Sequence, residues 1–362
     1  MNAGVGERFA ALRQRWPTPS KPAGIVLIGA GGIVNDAHLP AYRAGGLPVA
    51  GVFDVDRARA RATAERWGIA RVFEHFDQAC ADPRAVFDVA VPPQALFEVV
   101  SRLPEGSAAL LQKPMGVDLA DATRIRDACR SRALRAAVNL QLRFAPSMLA
   151  LADALAQGLL GRVVELEVHV NCRMPWELWP FLESLERMEI ALHSIHYLDT
   201  IRALLGEPRA VYGRTVKHPD AARLASSRTT AILDYADDVR CALSVNHHHK
   251  HGVKHQSSQL RVEGTRGAAL VVMGVNLDYP RGRPDELEIA LDGHEWSRVA
   301  LQGHWFPDAF LARMNQLQRH VCGDERELVG STDDAWRTMA LVEALYRSSA
   351  SGGTPVPREE HP

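Results

Sequence analysis

The run Gly24-Ile25-Val26-Leu27-Ile28-Gly29-Ala30-Gly31-Gly32-Ile33-Val34 carries the first chemistry that this chain can do. An apolar stretch typical of a buried parallel strand breaks at glycines and leads into a helix start. Gly29 permits a tight turn, and Gly31 lets main-chain amides come close to a bound group. With Gly32 and Ile33 they form the positive end of a helix, which suits a pyrophosphate. A second apolar strand, Pro48-Val49-Ala50-Gly51-Val52-Phe53, ends at Asp54, whose carboxylate can accept hydrogen bonds from a ribose. Strand before, helix after and acid about twenty residues on together describe a dinucleotide site. The third glycine position holds Val34, so helix and strand are expected slightly farther apart there. Asp54 repels a 2′-phosphate, Val55 offers no charge to neutralise one, and Arg57 begins the next helix. NAD is therefore expected ahead of NADP.

The elements that would position this site alternate between strand and helix. From residue 23 to about 140, strands are expected at 24–28, 48–53, 72–73, 86–91, 108–111 and 134–139. Asp56 caps a helix over 56–67 that Gly68 closes, and 118–132 repeats Leu119, Ala122, Ile125 and Ala128 at helical spacing. This rhythm argues for an α/β fold with a parallel sheet covered on both faces, a Rossmann domain over 23–140. Over 141–350 the rhythm changes to consecutive strands, at 162–170, 210–216, 228–235, 239–246, 259–262 and 268–272. A second α/β domain with an open, mostly antiparallel sheet is expected there. Helices are expected at 146–157, 189–205, 307–321 and 332–349, the last behind an N-cap at Ser331. Residues 1–22 read as an N-terminal extension, and 351–362 as a flexible tail.

The 362 residues suffice for two domains with substantial cores. A formal net charge of −1 gives no pull toward nucleic acid or an anionic membrane. No apolar run approaches the roughly 20 residues that span a bilayer. The five cysteines are scattered, without zinc or redox spacing. A cytoplasmic protein with a small-molecule substrate is the expectation.

Further chemistry sits at strand ends: Val91-Pro92-Pro93, then Leu111-Gln112-Lys113-Pro114. A third segment, His193-Ser194-Ile195-His196-Tyr197-Leu198-Asp199, is followed by Leu204-Leu205-Gly206-Glu207-Pro208. With His38-Leu39-Pro40-Ala41 and the run from Asn139 to Pro146 (NLQLRFAP), this set resembles the glucose-fructose oxidoreductase, inositol dehydrogenase and rhizopine-catabolism family. The likeness extends from Ala23 to about Ser349.

The resemblance implies hydride transfer between a nicotinamide cofactor and a sugar or sugar-derived polyol. Lys113 would touch the reacting oxygen and His196 would exchange its proton. Elementary chemistry agrees: the hydroxyl proton must leave as hydride departs, and an imidazole suits that role near neutrality. A nearby ammonium stabilises the developing alkoxide. Val91, Pro92 and Lys113 would line the cofactor. Arg143, Trp176 and Asp199 are candidates for the substrate, with an interdomain salt bridge as the alternative for Arg143. His38 reads as packing for the first helix. A homodimer or homotetramer is implied as well.

The chain also departs from the family pattern. Relatives commonly carry Glu where Gln112 stands, and often His where Phe97 stands. The acid expected four residues before the catalytic histidine is replaced by Leu192, with His193 as the expected substitute and Glu189 a weaker one. Two rivals to the dehydrogenase reading follow: a redox-neutral enzyme that retains its NAD, and a nucleotide-responsive binding protein without catalysis.

Two runs remain. Asn246-His247-His248-His249-Lys250-His251 would put His247, His249 and His251 on one face of a strand end. Lining the pocket or a subunit interface is expected there, and no metal. Trp176, Trp179 and Phe181 form an aromatic loop that could cover a carbohydrate ring or plug a second surface.

Overall fold

The computed structural model describes residues 3–279 and 281–356, so the first two residues of the extension and the last six of the expected tail lie outside it. Five parallel strands form the first sheet: β1 (Ile25–Ile28), β2 (Val49–Phe53), β3 (Val86–Val89), β4 (Ala108–Leu111) and β5 (Arg135–Val138). Their order is β2-β1-β3-β4-β5. The chain order reverses between β1 and β3, and the crevice at their carboxyl ends is where such sheets bind ligands. Val72-Phe73, expected as a strand, contributes one bridge to Val52. Two apolar residues between Arg71 and Glu74 are too few to build a ladder.

The second sheet has eight strands: β6 (Val163–Asn171), β7 (Ala210–Val216), β8 (Arg228–Asp234), β9 (Arg240–Asn246), β10 (Ser257–Gly264), β11 (Gly267–Val272), β12 (Glu286–Leu291) and β13 (Ser297–Arg298). Their order is β13-β12-β11-β10-β6-β9-β8-β7, antiparallel except where β6 runs beside β9. Alternation sets the faces: Leu166, Val168 and Val170 point inward with Leu243, Val245 and Leu260, while Ile232 and Arg261 face solvent. The β12 strand was not anticipated, although Glu286-Leu287-Glu288-Ile289 has the period of two that signals one.

The Asp56 cap forms, its side chain accepting from Ala58 and Arg59, and Gly68 closes that helix in the left-handed region at φ 69°. The helix Asp308–Cys322 returns to the first sheet and buries Phe310, Met314 and Leu317 beside Ile25 and Leu27. Residues 3–22 are strapped down: Phe9 and Leu12 are buried, and Trp16 donates its indole N–H to Glu325 at 2.8 Å. No helix among the described residues is long and apolar enough to cross a membrane.

Candidate active site

Gly29 stands at φ 104°, and a Cβ there would lie 2.3 Å from the Ala90 carbonyl oxygen. Only glycine lets the loop after β1 pass this close to the end of β3. Nothing lies within 4 Å of a Cβ at Gly31, so there is open space beside this glycine for a ligand. The helix that follows begins with a wide π turn over Val34–His38, and Val34 is wholly buried. That wider turn accommodates the side chain where a third glycine would stand.

Asp54 Oδ2 accepts from the Ala30 amide at 2.8 Å, and Oδ1 from the Asp56 amide at 2.8 Å. The carboxylate therefore ties the end of β2 to the glycine loop. Arg59, not Arg57, is the cation beside it, with NH1 3.6 Å from Asp54 Oδ1. Arg57 is paired with Glu74. Val91 and Pro92 follow β3 on the same rim, half-buried and exposed respectively. The open Gly31 cradle and the acid at its edge fit a dinucleotide, which Gly29, Gly31, Gly32, Ile33, Asp54, Val91 and Pro92 would hold.

Lys113 follows β4, and its ammonium donates to the Leu192 carbonyl oxygen at 2.8 Å. Burial pushes the amine down to about 8. Its main-chain amide is held by Gln112 Oε1 at 2.8 Å. The Gln112 amide nitrogen meets His38 Nε2 at 3.2 Å, as does the Asn139 amide nitrogen. His38 Nδ1 lies 2.7 Å from Asp88 Oδ2, which also accepts from the Tyr42 hydroxyl. Two amide donors on Nε2 require a lone pair there, so the proton sits on Nδ1, facing Asp88. His38 thus does more than pack a helix: it anchors the residue before Lys113.

The helix expected over 189–205 has two parts, a π turn over Ile190–Ser194 and an α-helix over Ile195–Leu205. One α turn therefore does not connect Leu192 to His196. Leu192 instead supplies the carbonyl that Lys113 grips. His196 is buried, and its Nδ1 has no partner. Burial first, then the charge of Lys113, pushes this imidazole well below the ordinary histidine range. His193 Nδ1 is likewise buried and unpartnered. Burial, then His247, Lys113 and His196, push His193 down as well. Trp305 stands edge-on to His196 at 5.7 Å between ring centres.

Trp176 joins this group, its ring edge-on to His193 at 5.3 Å and to His247 at 6.0 Å. Its indole nitrogen is buried without a partner. Trp179 turns away to Tyr279, and Phe181 is exposed. Arg143 and Asp199, candidates for the substrate, face each other. Arg143 Nε donates to Asp199 Oδ2 at 2.6 Å and NH1 to Asp334 Oδ2 at 2.8 Å. Asp199 is 1% exposed and also accepts from Thr338. A carboxylate and a guanidinium that satisfy each other have no reason to reach into the cleft; the salt-bridge alternative for Arg143 describes this geometry.

The histidine run divides. His247 is fully buried and reaches Glu189, while His251 is exposed and packs on His249. Among the described residues no three His, Cys, Asp or Glu side chains are grouped to hold a metal ion. Glu189 was undervalued from sequence. It is buried at the start of the π turn, and its only sequence signal is a lone acid before an apolar run.

Two family models match, an NAD-binding Rossmann-fold oxidoreductase family over residues 23–140 and the GFO/IDH/MocA C-terminal domain over 148–270. The chain belongs to the GFO/IDH/MocA oxidoreductase family. D-apiose dehydrogenase of Paraburkholderia graminis is 26% identical over 91% of this chain and 88% of its own length. D-xylose 1-dehydrogenase (NADP(+)) 2 of Haloferax volcanii is 23% identical over 90% and 97%. The same fold is seen in an oxidoreductase from Agrobacterium radiobacter solved with NAD+, L-tartaric acid and magnesium. It has a TM-score of 0.78 at 22% identity and covers 92% of this chain and 98% of that one.

Proposed function

We propose that this protein oxidises a secondary hydroxyl of a sugar or sugar-derived polyol with NAD, Lys113 and His196 meeting the reacting oxygen. The observation that carries the reading is the Lys113 ammonium after β4, bonded to the Leu192 carbonyl, with the buried His196 imidazole and its unpartnered Nδ1 four residues further along the chain. Relatives named for D-apiose and D-xylose support the substrate class.

A bound nicotinamide would supply the hydride acceptor. Lys113 can share its protons between the Leu192 carbonyl and the substrate oxygen, and so favours the alkoxide. His196, held neutral, takes the hydroxyl proton. The indole nitrogens of Trp176 and Trp305, packed against His193 and His196, lack partners, and donors of this kind suit a ligand rich in hydroxyls. His193 completes the group as a second neutral imidazole.

The same reading includes a homodimer or homotetramer. Tyr212 and Ile232, 61% and 55% exposed, sit opposite each other on the solvent face of the second sheet, the surface that a second copy would cover. Sedimentation velocity giving a monomer at micromolar concentration would contradict that part alone.

The test is a panel of aldoses and polyols, D-apiose and D-xylose among them, assayed for NADH formation. At least one should reduce NAD, and Lys113→Met and His196→Asn should each lower kcat by about a hundredfold or more. NAD binding with no turnover across the panel, or product without net NADH, defeats the reading.

A further inference from the structure

We propose that Glu189 and His247 form a buried carboxylate–imidazolium pair that replaces the acid missing at position 192 and keeps His193 neutral and fixed. The proposal rests on the reading of the Lys113–His196 site and assigns its charge control to two residues outside it.

Glu189 and His247 both have no exposed surface, and His247 Nε2 lies 3.4 Å from Glu189 Oε1, within ion-pair range but without hydrogen-bond geometry. A carboxylate buried without a counter-charge is strongly disfavoured. His247 is the basic group within ion-pair range. The remaining capacity of Glu189 is met by hydroxyls: Ser194 donates to Oε1 at 2.7 Å, and Thr229 donates to Oε2. Tyr197 and Tyr346 are the other titratable groups whose charge is coupled to Glu189. The π turn is what makes this possible. Its i→i+5 geometry brings Ser194 over Glu189, where an α-helix would carry residue 194 well around the axis.

On its other side His247 Nδ1 faces the Cys172 sulfur at 3.5 Å, which orients the ring. Burial works against a charge on His247, but the contacts with Cys172 and Glu189 outweigh it and hold the imidazole at about 9. The His247 and His193 rings stand 4.6 Å apart at 47°, with Trp176 edge-on to both. His193 therefore has a cation on one side in His247 and another in Lys113, with His196 on its own helix. A third positive charge in that space is disfavoured, so His193 stays neutral with Nδ1 free for the substrate. Glu189 and His247 are positioning residues: neither is placed at the reacting atoms.

The sign of the effect follows. Without the Glu189 charge, His247 loses its proton at neutral pH, and His193 then has one cation fewer beside it. Its titration midpoint must rise.

The test uses the full chain labelled with 13Cε1-histidine, the resonances assigned through His193→Gln and His247→Gln. In the native protein the His247 signal should stay at its imidazolium position through neutral pH. In Glu189→Gln its proton affinity should fall by about 1,000-fold, 3 pH units, and the His193 midpoint should rise by about half a unit or more. Glu189→Asp should restore most of both shifts. His247→Gln should also raise the His193 midpoint. If Glu189→Gln does not fold, His247→Gln alone tests the coupling through the His193 midpoint. An unchanged His247 midpoint in the altered protein, or a His193 midpoint indifferent to His247→Gln, overturns the proposal. The signals need no turnover, so failure of sugar oxidation and failure of this pair are read separately.

Discussion

Gln112 and His38 are joined across 74 positions of sequence by a 3.2 Å contact between the glutamine amide and the imidazole Nε2. The same glutamine holds the main-chain amide of Lys113. Its side chain therefore aims the lysine rather than touching substrate. Gln112→Leu leaves both partners unsatisfied and lets the end of β4 shift. A displacement near 1 Å at a reacting group costs about a hundredfold in rate. The expected outcome is a fall of that size in kcat, with the dissociation constant for NAD changed less than about threefold because the glycine loop is untouched. Stopped-flow NADH formation and calorimetry separate the two.

Arg143 and Asp199 lead to the opposite expectation. Arg143 is clamped by Asp199 and Asp334, and Arg202 reaches Asp334 at 3.1 Å from the other side. Removing one partner of such a buried network costs about 3–5 kcal/mol. Asp199→Asn should lower the denaturation midpoint strongly, while the surviving folded protein keeps its KM for the sugar. A large rise in KM at unchanged stability would return Asp199 to the substrate.

The first half of this fold was legible because its signals are local. The glycine loop, the Asp54 terminus and the Asp56 and Ser331 caps each lie within one strand–turn–helix unit, where spacing alone fixes geometry. The strands of the second sheet were legible from alternation, except β12, which alternates too, and the two-residue β13, too short to show a pattern. The π turns at Val34–His38 and Ile190–Ser194 were not legible, because no residue type marks a turn one residue too wide. They decide the site. Through the second of them Leu192 becomes a carbonyl ligand and Glu189 becomes the buried acid. Pairings across long sequence gaps were hidden for a related reason: Arg143–Asp199 spans 56 positions, and Asn139–His38 spans 101. Nothing local distinguishes a partnered arginine from one awaiting substrate.

Lys113 should cost the protein stability that it returns as rate. Its folded-state value of about 8 lies below that of an unfolded lysine, near 10.4. Between those values the unfolded chain binds more protons, so stability rises with pH across that window. Below pH 8 the full burden of the buried charge remains. Lys113→Met should therefore raise the melting temperature at pH 7 by about 2–6 °C, a gain that shrinks toward pH 10. The same variant should lose nearly all turnover. In the native enzyme kcat/KM for oxidation should fall as pH climbs through about 8, where the ammonium is lost. An alkaline limb that rises instead would make the neutral amine the base.

Asp54 and Arg59 together are expected to set the coenzyme preference. The carboxylate is pinned by the Ala30 and Asp56 amides, so it cannot swing away from a 2′-phosphate. Arg59 is the cation able to meet that phosphate, and it is engaged by Asp54 and, at 3.4 Å, by Asp56. The native protein should thus use NAD with the higher kcat/KM, by about tenfold or more, the worth of a 1.4 kcal/mol repulsion. Asp54→Asn keeps an acceptor for the Ala30 amide while removing the charge that holds Arg59. It should bring NADP to parity or better, and adding Arg59→Ala should take that gain away. Steady-state kinetics with both coenzymes decide the matter, and a double variant that still prefers NADP would mean that another cation receives the phosphate.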